Sequence, residues 1–324
     1  MWICNVRTVA IGIFALVMAG VWPAGDQVLG QAGQAPTPKA TFRAGVDLVR
    51  ISAVVHDRRG RPVLGLSRVD FELDENGQLL PIVEFESEAA GVSLAVLVDA
   101  SGSMKLPGRM EAARDTVGHV ISWVEEGRDE VTLLSFDKRL RTIQPFTTRP
   151  SDVHQRLAEL EPYGLTSLYD AIADAARPLV TRGRARRAVV VVTDGVDTSS
   201  VFSPAEVSRL ASEIDVPVYV VAIRVGPDRA EGLAGAAGVP GETSDATLED
   251  LARWTGGAAF VAGTPAETSL AARRILTELR HQYLIAFEAN PRAGWHPLSI
   301  GMRKKNLVVR ARGGYMTGSN SETQ

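Results

Sequence analysis

Five oxygen-bearing side chains stand beside apolar runs or helix starts in this 324-residue chain. The run LAVLV at 94–98 stops at Asp99, and Ser101 and Ser103 follow in alternation. A second run, VVVV at 189–192, leads into Thr193, Asp194 and Gly195, while Thr166 sits in GLTSLYD just ahead of an amphipathic stretch. Two carboxylates and three hydroxyls, with no imidazole or thiol among them, form a hard donor set. Such a set suits Mg²⁺, which takes about six oxygen ligands and whose charge two aspartates balance. Mn²⁺ or Ca²⁺ would accept the same donors. A coordination position left open or water-filled would draw a carboxylate from another molecule. Taken alone, Asp-Ala-Ser-Gly-Ser also reads as a turn closed by Asx and Ser side chains. Around this set, Asp197, Ser199 and Ser200 read as rim residues. Tyr169 and Asp170 read as helix-start residues, Asp170 being also able to orient a ligand hydroxyl. Lys105 and Arg109 read as solvated loop charges, or as groups that steer an acidic partner.

Enzyme chemistry finds little footing in the same residues. An Asp-x-Asp phosphatase needs a second acid where Ser101 stands, to protonate the leaving group. Neither Ser101 nor Ser103 lies in GxSxG, and His56, His119, His154, His281 and His296 form no motif with them. HExxH, the helical zinc-hydrolase signature, is missing. The glycine-rich GLAGAAGVPG at 232–241 has GxxGxxG spacing with acidic neighbours, and reads as a loop rather than a nucleotide cradle.

The elements that must position the five side chains follow from hydrophobic period. VSLAVLVDA, AVVVVTDG and PVYVVAIRVG are continuous β-branched and aliphatic runs, the pattern of strands buried on both faces. Amphipathic stretches from about Arg109 to Glu126, at 167–180 and in AETSLAARRILTELRHQ separate them, as do SDVHQRLAELEP and SPAEVSRLASEI, each with a Ser N-cap. This alternation predicts an α/β domain with a doubly wound, mostly parallel sheet. In such a sheet ligands gather at the carboxyl ends of the strands, where Asp99 and Asp194 stand. Either side of this domain the period drops to two. VDLVRISAVVHD and FELDENGQLLPIVEFE precede it, with a hairpin expected at Asn76-Gly77. YLIAFEA, HPLSIGM and NLVVRARG follow it. Neither flank alone holds enough strands for stability, which argues for one small antiparallel β-sandwich built from both.

Asp99-Ala100-Ser101-Gly102-Ser103, Gly164-Leu165-Thr166 and Thr193-Asp194-Gly195 together resemble the metal-ion-dependent adhesion site of von Willebrand factor type A domains, over roughly residues 91–280. The flanks, including ELRHQYLIAFEA and VVRARGGY, are similar to bacterial exported proteins termed VWFA-related, common in acidobacteria. The resemblance implies that Asp99, Ser101, Ser103, Thr166 and Asp194 hold a divalent ion directly or through water. It also implies a non-enzymatic adhesion or assembly module that captures an Asp or Glu of a partner protein. A scaffold with a purely structural metal, or a hydrolase using the metal as Lewis acid, are the other readings.

Composition bounds the rest. The formal charge of −3 gives no bulk case for nucleic acid as partner. The cluster Arg182, Arg184, Arg186 and Arg187 reads as a solvated helix end. Arg7 followed by an apolar stretch from Val9 to Trp22 reads as a secretory signal, short for a membrane span of ~20 residues. The small residues Gly30-Gln31-Ala32 suit cleavage, and only an uncleaved segment would tie the chain to a membrane. The single cysteine, Cys4, lies inside that segment, so the mature chain is expected to be free of disulfides and thiolate sites. The expected organisation is a signal peptide at 1–32, a linker at 33–39, half a β-sandwich at 40–90 and the type A domain at 91–280. The other half-sandwich follows at 281–316, and a polar tail at 317–324. The expected location is exported: periplasmic, cell-envelope or secreted.

Overall fold

The computed structural model describes residues 47–182, 186–195, 197–213, 215–225 and 247–318. The signal, linker, glycine-rich loop and most of the polar tail lie outside them. No helix among the described residues is long and apolar enough to cross a membrane.

The chain enters on β1 (Leu48–Asp57), β2 (Phe71–Glu75), β3 (Gln78–Leu80) and β4 (Glu84–Glu86). Asn76 and Gly77 join β2 to β3 with φ of 54° and 84°. Two successive positive φ values make the turn whose twist matches antiparallel strands, and Asn-Gly adopts it readily.

The α/β part follows. β5 (Val92–Asp99), β6 (Glu130–Phe136), β7 (Leu140–Thr147), β8 (Arg186–Thr193), β9 (Val218–Ile223) and β10 (Ala259–Ala262) form one sheet in the order β10-β9-β8-β5-β6-β7. All pairings are parallel except β6 with the edge strand β7. Helices α1 (Arg109–Ser122), α2 (Pro150–Leu157) and α6 (Pro265–Arg280) cover one face; α3 (Leu168–Ala176), α4 (Pro204–Glu213) and α5 (Leu248–Trp254) cover the other. Alternate residues of β5 feed the two cores: Leu94, Val96 and Val98 pack under α1, Ala95 and Leu97 under α3. Every residue of β5 is buried, as an uninterrupted apolar run requires. The winding reverses at β5, which lies between β6 and β8, so the crevice at their carboxyl ends is the topological switch point.

The chain returns through β11 (Tyr283–Glu288), β12 (Gly294–Pro297), β13 (Ser299–Met302), β14 (Leu307–Ala311) and β15 (Gly314–Thr317). β1 pairs with β11 and β14, and β4 closes the sheet order β14-β1-β11-β4. β13 joins β2 and β3, and β12 pairs with β15. Side chains of both flanks share one core, including Ile51, Phe71, Leu73, Tyr283, Phe287 and Tyr315.

Three local expectations need correction. α2 starts at Pro150 with Arg149 at its N-cap, so Ser151 is already inside the helix. Proline is suited to that first position, because its missing N–H would have no intrahelical acceptor. HPLSIGM is not one strand: it is divided at Leu298 between β12 and β13. Within the arginine cluster, of which Arg184 lies outside the described residues, Arg182 and Arg186 are not solvated helix-end charges. Arg186 is fully buried at the start of β8 and donates to the carbonyls of Glu88 (2.5 Å) and Gln282 (2.8 Å). Those two residues stand where the chain enters and leaves the α/β part. Arg182 pairs with buried Glu130 through Nε at 2.8 Å.

Candidate metal centre

The centre of the switch point is Asp99, the last residue of β5, with no exposed surface. One carboxylate oxygen accepts the Ser101 N–H at 2.9 Å; the other accepts the Thr193 hydroxyl at 2.6 Å. The second bond ties the carboxyl end of β5 to that of β8. Burial pushes the Asp99 carboxyl up to about 6; the Thr193 and Ser101 hydrogen bonds oppose this, and the charge of Asp194 adds to it. An added cation would reverse that balance.

Beyond Asp99 the chain makes a tight turn (residues 102–105) that brings Ser101 Oγ and Ser103 Oγ to 3.0 Å. Two ligands at right angles on a metal with 2.1 Å bonds are about 3.0 Å apart. In this structure the two hydroxyls hydrogen-bond each other at that distance. Gly102 lets the Thr166 loop come close. Its N–H donates to Gly164 O at 2.8 Å, and a Cβ there would lie 3.0 Å from that same oxygen. Gly164, at φ +88°, turns the loop so that buried Thr166 follows. Thr166 O then accepts the N–H groups of Thr198 and Ser199, both at 3.0 Å. The loops after β5, before α3 and after β8 are thus stitched together by main-chain bonds.

Asp194 lies one residue past β8 and is 3% exposed. Its carboxylate meets Arg109 Nη1 at 2.5 Å, and its carbonyl accepts from Arg224 Nη1 at 2.5 Å. Arg109 also donates to Ser103 O at 3.4 Å. Its side chain is only 13% exposed, so it is an interior cation of the cup and not a solvated loop charge. Lys105, by contrast, is exposed, its ammonium 5.5 Å from the ring of Tyr163. Asp197 and Asp170 serve the loops. Asp197 accepts the Leu168 N–H at 2.8 Å at the start of α3, and Asp170 accepts those of Val201 (3.0 Å) and Phe202 (2.9 Å). Burial, with the Asp197 charge adding, pushes the Tyr169 hydroxyl up to about 12.

The donors fit a hard divalent ion. Among the described residues no three of His, Cys, Asp and Glu are grouped to hold a metal. Residues 94–196 match the family model of the von Willebrand factor type A domain. The match runs from inside β5 through Asp99, Ser101, Ser103, Thr166 and Asp194. No curated protein matches the chain. Among solved structures, an aerotolerance-related membrane protein from Bacteroides fragilis is similar over 58% of this chain and 98% of its own, at 20% identity and a TM-score of 0.47. A von Willebrand factor type A protein from Catenulispora acidiphila is similar over 85% of this chain and 76% of its own, at 13% identity and 0.47. Proximal thread matrix protein 1 from the mussel byssus, with a zinc-occupied MIDAS motif, is similar over 64% and 50%, at 15% identity and 0.48.

Proposed function

We propose that the type A domain is a protein-interaction module whose cup is a metal-ion-dependent adhesion site. In this reading Asp99, Ser101, Ser103, Thr166 and Asp194 hold one divalent cation, Mg²⁺ foremost, with Mn²⁺ or Ca²⁺ as substitutes. The observation that carries it is the burial of two carboxylates, Asp99 and Asp194, at the switch point beside the Ser101 and Ser103 hydroxyls. The bound ion supplies an electrophilic centre for a partner's Asp or Glu. Asp99 anchors the cup to two strand ends, and the small serines and threonine allow close approach. Arg109 offsets part of the carboxylate charge, so a divalent ion leaves the cup net positive and calls for one more anion.

No enzymatic role is proposed, because among the described residues no histidine or thiol is paired with the donor hydroxyls to activate them. The protein acts outside the cytoplasm, at the cell envelope or beyond, in keeping with the charge-free stretch after Arg7. A pull-down from envelope extract tests the module. A partner retained in Mg²⁺ and lost in EDTA, while the fold persists, supports capture through the metal. A partner retained equally in both assigns the metal a structural role only. Turnover of a phosphate or peptide panel would favour the hydrolase instead.

A further inference from the structure

A cavity of about 500 Å³ lies where the start of β1, the amino end of β8 and the segment around β15 meet. Its size is that of a small-molecule site. It is remote from the cup, because Arg187 and Thr193 stand at opposite ends of β8, about 20 Å apart at ~3.3 Å per residue.

Three arginines, Arg50, Arg187 and Arg312, line this cavity with one acid, Asp215. Arg50 is turned outward to Glu84 at 3.0 Å. Arg312 is the opposite case, with a side chain only 4% exposed. Its Nη2 donates to Arg50 O at 2.6 Å, which fixes the guanidinium in the cavity wall. Its Nε and Nη1 are buried and find no hydrogen-bond partner among the described residues, and the same holds for Arg187 Nε. Asp215 does not meet this need. Its carboxylate stays 3.6 Å from Arg312 Nε, and its two oxygens accept from the Ser52 N–H at 3.3 Å and the Ser52 hydroxyl at 3.1 Å. Burial pushes the Arg312 guanidinium below its ordinary value; the Asp215 charge opposes this and the Arg187 charge adds to it. A buried cation beside a like charge, with N–H groups lacking acceptors, is costly, and an anion between the two arginines relieves both costs.

The rest of the wall is of another kind. Leu48 and Val180 border the same cavity and are both exposed.

We infer that this cavity binds a small organic carboxylate, its oxygens received by Arg187 and Arg312 and its apolar body laid against Leu48 and Val180. Guanidinium forks match the two oxygens of a carboxylate. With Arg50 shared with Glu84, the two remaining arginines exceed Asp215 by one positive charge, which one carboxylate balances.

The test titrates the full chain by calorimetry with benzoate, acetate and benzamide. EDTA is present throughout, so that no divalent ion in the cup captures the acid. Benzoate is expected to bind at least about tenfold more tightly than acetate or benzamide. Arg187→Gln and Arg312→Gln should each weaken benzoate by at least about tenfold, and Arg187→Gln decides alone if the buried Arg312→Gln change unfolds the chain. Val180→Ser, changed at an exposed position, should weaken benzoate and leave acetate unaltered. No benzoate binding by the wild-type chain, equal affinity for benzoate and either other probe, or full benzoate affinity in Arg187→Gln overturns the inference.

Discussion

Asp99 and Arg109 do opposite things to the cup, and each has its own signature. Asp99 is a buried acid whose two oxygens already accept from Ser101 and Thr193. Asp99→Ala removes both charge and acceptors, so it should abolish divalent binding and destabilise the fold by about 1–3 kcal/mol, because buried donors lose their partners. Asp99→Asn keeps an acceptor and should abolish binding at smaller cost; calorimetry and thermal melting in EDTA separate the two. Ser101→Ala and Ser103→Ala each remove one neutral ligand and should weaken the metal less. Arg109 already neutralises part of Asp194. Arg109→Gln should therefore tighten Mg²⁺ by about tenfold, while lowering the melting temperature in EDTA, where buried Asp194 loses the Arg109 charge. Unchanged Mg²⁺ affinity in Arg109→Gln would make the ion pair irrelevant to the cup. The five proposed donors could be singled out in the sequence because each stands beside a strand end or helix start recognisable from its apolar period. Arg109 was not, since its partner is 85 residues away and only the closing of the switch point joins them.

Among the elements, α6 shows how a helix of the α/β part is pinned to the flanking strands. Glu278 on α6 meets His56 of β1 at 3.0 Å and also pairs with Arg310 of β14. Burial alone would raise the Glu278 carboxyl, but the His56 hydrogen bond and the Arg310 charge hold it below its ordinary 4.5. A carboxyl with a depressed folded-state pKa stabilises the fold above its unfolded value, and that contribution is lost as pH falls below 4.5. Glu278→Gln should flatten the acid limb of a stability–pH curve measured by denaturant melts; an unaltered acid limb would show that the contact contributes nothing. The period of two and the Asn76-Gly77 turn were readable in advance, because alternation and turn chemistry are local. The interleaving of β1 between β11 and β14 was not, because strand order depends on pairings across more than 200 residues.

At the scale of the molecule, the flanks form antiparallel sheets about one core while the chain between them forms the parallel sheet. We propose two units crossed twice by the chain, with Arg186 holding both crossings through Glu88 and Gln282. A fragment of residues 91–280 should fold and keep its divalent affinity. Residues 40–90 alone should not fold, since both hydrogen-bonding neighbours of β1 lie near the other end of the chain. Well-dispersed amide resonances from the shorter fragment would refute this division. The central claim, that LAVLVDASGSM opens a metal site, is tested most directly by titrating Mg²⁺ into the wild-type chain and into Asp99→Asn. The account predicts one saturable site in the wild type and none in the variant; equal Mg²⁺ affinity in the two would reduce the stretch to a strand and its turn.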